Sequence, residues 1–123
     1  RFNDARLHLE NEANSLMEIY ALSEKMPEPY RDSIRDTIRL YTAETLGEGW
    51  RMMALGQVDQ DGLTLFRQLM KEIREVEPVT ENQKALYGSM LSSFINAGES
   101  RRGRLNFAVY DIPNVEWCYH FNG

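Results

Sequence analysis

The stretch Tyr30-Arg31-Asp32-Ser33-Ile34-Arg35-Asp36-Thr37-Ile38-Arg39-Leu40-Tyr41 decides the fold. Its apolar residues Tyr30, Ile34, Ile38 and Tyr41 recur at the spacing of one face of an α-helix, and charged residues fill most of the positions between. The same rhythm extends outward in both directions. Leu9, Ala13, Leu16, Met17 and Tyr20 predict a helix over about 4–26. Trp50 and Met53 carry the central helix on, giving about 28–55. Phe66, Leu69, Met70 and Ile73 predict a short helix over 63–76. Leu86, Met90, Phe94, Ala97 and Leu105 predict a last one over 81–109, with Arg101 on the same stripe.

The breaks between these segments have physical causes. Pro27 and Pro29 lack an amide hydrogen and disfavour helix in the residue before them, so they end the first helix. Gly56 suits a helix C-terminus, and Asp59, Asp61 and Gly62 mark a polar turn over 57–62. Pro78 ends the third helix. Thr80, with Gln83 three residues on, reads as a capping box opening the fourth. Gly47 and Gly49 interrupt the second helix and predict a kink rather than a close helix contact. Short connections make successive helices antiparallel neighbours. The expectation is an all-α, up-down-up-down four-helix bundle, one domain over 1–123, followed by a short irregular aromatic tail over 111–123.

Composition sets the class. A chain of 123 residues, 42% apolar and 27% charged, has enough material for a core without metal or disulfide staples. A net charge of −5 argues against nucleic acid as a partner. The single cysteine, Cys118, excludes an internal disulfide. No run of apolar residues is long enough to span a bilayer. The chain starts at Arg1 rather than Met, which reads as a processed product or an excised fragment.

Spacings that carry chemistry are scarce. A di-metal carboxylate bundle needs Glu-x-x-His pairs, and neither His8 nor His120 has a Glu at that spacing. Glu44 and Glu48 stand one turn apart but read as solvated carboxylates. Cys118 and His120 have no orienting third group. No phosphate loop or dinucleotide fingerprint is present. The sequence therefore predicts no enzyme, no cofactor and no metal. Two polar features stand out. Arg101 shares the apolar stripe of the last helix and must find a carboxylate, because an unpaired buried charge is very costly; Glu12 is the predicted interhelical partner. Arg1, Arg6, Arg101, Arg102 and Arg104 gather at the two chain ends, which the bundle places at one pole. If those ends continue into membrane helices, the positive-inside rule puts the domain on the cytoplasmic face. Trp117, Tyr119 and Phe121 in the tail form a candidate contact surface.

Several motifs occur in a familiar order. They are Glu12-Ala13-Asn14-Ser15-Leu16, the turn Met26-Pro27-Glu28-Pro29, Tyr41 with Trp50 nine residues on, and Arg101-Arg102-x-Arg104-Leu105. Together they resemble the bestrophin-like membrane proteins of unknown function, from about Asn11 to Trp117. The family commonly has Glu before the Trp, where this chain has Gly49. The resemblance implies a domain between the second and third membrane helices of a larger protein, reaching the membrane through flanking segments. It also implies a symmetric homo-oligomer if the parent is channel-like. The leading expectation is a non-catalytic extramembrane helical domain acting in assembly, gating or partner binding. The alternatives are a soluble helical protein–protein interaction module and a metal-binding bundle using Glu12, Glu44, Glu48 and His8.

Overall fold

The computed structural model describes the backbone of residues 2–122 and the side chains of residues 4–106. All regular structure in it is helical: α1 (Phe2–Ser23), α2 (Tyr30–Glu44), a π-helical turn (Thr45–Gly49), α3 (Trp50–Ala54), α4 (Gln60–Glu75) and α5 (Glu81–Asn122). The expected all-α class is observed. α1 packs along α5, α2 along α4, and α1 against α2.

The α1–α5 contact is a seam with a seven-residue repeat. On α1 the residues Glu12, Leu16, Ile19 and Ser23 are all at most 5% exposed, Met26 just past its end continues the spacing, and Ala5 extends the row by one heptad. On α5 the facing row is Met90, Ser93, Ala97 and Arg104. Spacings that alternate between three and four residues keep a seam facing its partner, as in a coiled coil. This rotates the buried face of α1 from the expected one. Ala13 is exposed and Met17 is 68% exposed, while Glu12 lies inside. On α2 the expected stripe holds, since Ile34, Ile38 and Tyr41 are all buried.

The connections are hydrogen-bonded as the turn chemistry requires. Arg35 reaches back across the first turn to cap the end of α1, donating to the Ser23 hydroxyl at 3.0 Å and the Tyr20 carbonyl at 3.0 Å. Its guanidinium also lies 4.3 Å from the centre of the Tyr20 ring. The expected capping box is present: the Gln83 amide donates to Thr80 Oγ1 at 3.0 Å and the Thr80 amide to Gln83 Oε1 at 3.2 Å. Gln83 Nε2 also donates to the Lys25 carbonyl at 3.0 Å, which ties the start of α5 to the end of α1.

The second expected helix is divided. Gly47 leaves helical geometry at φ −98° and ψ −110°, so the predicted kink is real and takes the form of a π-turn between α2 and α3. α3 ends in a Schellman motif, with Gly56 at φ 70° and the Gln57 amide bonded to the Met52 carbonyl at 2.8 Å.

The expected irregular tail is corrected. α5 is a helix as far as Asn122, passing through Pro113. A proline deletes one backbone hydrogen bond and crowds the carbonyl four residues back, but it does not prevent helix on its far side. The side chains of Trp117, Tyr119 and Phe121 lie outside the described residues, as does Arg1.

Candidate functional site

The polar centre of the molecule lies where α1, α2 and α5 meet. Glu12, 1% exposed, projects from the α1 seam, and Arg104, 4% exposed, from the α5 seam. Arg104 Nε donates to Glu12 Oε1 at 2.9 Å. Tyr41 of α2 donates its hydroxyl to Glu12 Oε2 and accepts from Arg104 Nη2 at 3.3 Å. Arg104 Nη1 rests on the Met53 sulfur of α3 at 3.5 Å. Both carboxylate oxygens and the phenol are thereby satisfied without water. Burial beside Glu12 pushes the Tyr41 phenol up to about 12, so it stays a donor at any physiological pH.

The predicted pair of Glu12 with Arg101 is corrected: Arg104 takes that place. Arg101 matches the Phe94–Leu105 stripe, but the buried row follows Met90, Ala97 and Arg104, leaving Arg101 at the rim. Its guanidinium lies 5.2 Å from the centre of the Phe66 ring, which in turn stacks on Phe94 at 5.0 Å. The predicted basic cluster also divides. Arg6 and Arg102 are exposed, Arg101 is half-buried, and Arg104 belongs to the core. The RRGR stretch contains a contact that sequence reading overlooked. A Cβ on Gly103 would lie 2.6 Å from the His8 ring, so α1 and α5 are in contact here and a larger residue would require the His8 side chain to move.

A second polar cluster stands one turn along α2. One carboxyl oxygen each of Glu44, Asp59 and Asp61 lies within 4.8 Å of the other two. Glu48, the predicted companion of Glu44, turns away to pair with Arg51. A hydrogen bond to Asp59, aided by burial and by the like charges of Asp59, Asp61 and Glu48, holds the Glu44 carboxyl above its usual 4.5. The Asp59 carboxylate lies against Gly49 and Gly62, at 2.5 and 2.6 Å from where their Cβ atoms would be. Gly49 thus serves close approach as well as following the kink, and a Glu at that position would displace Asp59. Beyond its acidity the cluster shows one unmet atom, Glu44 Oε2, which is buried with no hydrogen-bond partner.

Two cavities flank Tyr41. One, of about 120 Å³, lies among the π-turn, the 56–59 loop and α5. The other, of about 470 Å³, is an apolar groove between α1 and α2 walled by Leu9, Ala13, Met17 and Leu46. Among the described residues no helix is long and apolar enough to cross a membrane.

The model of the Bestrophin-like domain matches residues 1–119. No curated protein and no solved structure matches the chain. The family match spans both halves of the α1–α5 seam, including the Glu12 and Arg104 segments that carry the resemblance. The chain belongs to the bestrophin-like family.

Proposed function

We propose that this chain is a non-catalytic helical domain lying outside the bilayer in an integral membrane protein, with a role in assembly or gating of its parent. The observation that supports it is the α1–α5 seam. The first turns of α1 lie beside residues 103–105 of α5, so the two helices open toward one pole, as a domain inserted between two membrane helices requires. Arg6 and Arg102 are exposed close to that pole. In this reading the flanking segments supply the membrane helices, and the positive-inside rule puts the bundle on the cytoplasmic face. A symmetric homo-oligomer would carry any channel-like activity, with no cofactor, metal or nucleic acid involved.

Topology mapping of the full-length gene product tests this. Cysteines placed at Arg6 and Arg102 are expected to react with an impermeant maleimide only from the cytoplasmic side, and the protein to stay in the membrane pellet after a carbonate wash. Release into the supernatant would overturn the reading and favour a soluble interaction module. One observation supports that second reading: the apolar α1–α2 groove, beside which Met17 is 68% and Leu46 62% exposed.

A further inference from the structure

The cavity of about 120 Å³ beside Tyr41 is walled by groups of opposite character that do not meet. On the α5 side stands Arg101. Its Nε is buried with no hydrogen-bond partner, although buried donors are almost always satisfied. Its neighbour Arg104 is already matched by Glu12, so it adds no free charge. On the loop side stands Asp59, held against Gly49 and Gly62 and sharing a hydrogen bond with Glu44, so that this wall carries the acidic cluster's excess of negative charge. Tyr41 and Thr45 add hydroxyls, and Met53, Val58 and Leu105 close the rest. Among the described residues no ion pair joins Arg101 to Asp59. The space between them approaches the ~150 Å³ that admits one benzene ring in an apolar protein cavity.

We propose that this cavity binds a small zwitterion, a compact amino acid whose carboxylate accepts from Arg101 and whose ammonium donates to Asp59. A lone anion would face the Asp59 carboxylate, and a lone cation would leave the Arg101 donor unmet. A molecule with both charges answers both walls in a space too small for a long side chain. Charge-assisted hydrogen bonds at each end would supply the affinity and fix the orientation. The site is independent of the membrane reading, since each of its walls is built from this chain.

Amide NMR of the protein tests the proposal, following Gly49, Gly56 and Gly62 during titration with glycine or L-alanine. Acetate and methylammonium serve as the two half-ligands. Saturable shifts at these glycines are expected at millimolar amino acid, with each half-ligand at least about tenfold weaker because one charged contact is missing. Arg101→Gln is expected to weaken L-alanine by at least about tenfold as well, and its melting temperature reports separately the loss of the guanidinium's contact with the Phe66 ring. Asp59→Asn provides the complementary loss at the ammonium end. An absence of shifts with any probe would mean the cavity holds only water and would overturn the proposal. Acetate binding as tightly as L-alanine would show an anion site in which Asp59 has no part. Unchanged binding by Arg101→Gln would also overturn it.

Discussion

The two halves of the α1–α5 seam are built on different principles. The half that includes Leu16, Ile19, Met26, Met90 and Ala97 is mainly apolar, with only the small hydroxyls of Ser23 and Ser93 among its buried residues, and packs chiefly by shape. The half that includes Glu12 and Arg104, with Tyr41 leaning in from α2, packs by charge and hydrogen bonding. An apolar seam supplies stability but accepts more than one register, because Leu, Ile and Met are interchangeable partners. A buried ion pair contributes little net stability, since desolvation offsets its attraction, yet a slipped register would leave each charge alone. We infer that the apolar half holds α1 and α5 together and the polar half fixes how they align.

The sharpest way to break this contrast is to remove one charge. Glu12→Ala leaves Arg104 buried without its carboxylate and is expected to cost about 3–5 kcal/mol in urea unfolding. The triple variant Glu12→Leu, Tyr41→Phe and Arg104→Met, which also removes the phenol that would otherwise lose both its partners, should recover most of that loss or exceed wild type by about 1–4 kcal/mol. If the triple variant is as unstable as Glu12→Ala, the polar half does more than set register. The apolar half has a different signature. Ile19→Ala should cost about 2–5 kcal/mol, and no partner substitution short of refilling the cavity should rescue it.

Smaller changes sharpen the picture at the edge of the polar half. Tyr41→Phe removes the hydroxyl that joins Glu12 to Arg104 and should cost about 1–3 kcal/mol, measured by thermal unfolding near neutral pH. Gly49→Ala, whose methyl would lie 2.5 Å from Asp59 Oδ2 and 2.9 Å from the Glu44 carbonyl, should destabilise. Overpacking of that kind costs about 1–3 kcal/mol. Gly88→Ala in α5, where a Cβ meets nothing within 4 Å, should stabilise slightly instead. Equal effects at the two glycines would show that helix propensity, not contact, governs Gly49.

The smallest effect separates the matched cluster from the mismatched one. Glu44 is held above its usual 4.5 chiefly by Asp59, so above that pH the native state binds more protons than the unfolded chain. Its contribution is complete below 4.5 and declines as pH rises through the elevated native value. Glu44→Gln should flatten this part of the stability–pH curve without changing the protein at low pH. A wild-type curve that rises with pH at this site would contradict the Glu44–Asp59 contact.

The sequence alone determined the helical class, the Tyr30–Tyr41 stripe, the Thr80–Gln83 cap, the Gly56 stop and the presence of a kink near Gly47, because each depends on residues within a turn or two of each other. It also singled out Glu12 as the carboxylate that an arginine of the RRGR stretch would seek. Only the tertiary structure decided which arginine that was, that Gly103 lies against His8, and which way α1 turns. Those outcomes depend on the crossing of two helices whose paired residues lie about ninety positions apart, as Glu12 and Arg104 do. Period and composition describe a helix against an unspecified core. The seven-residue seam, and the charges it buries, exist only once the partner helix is in place.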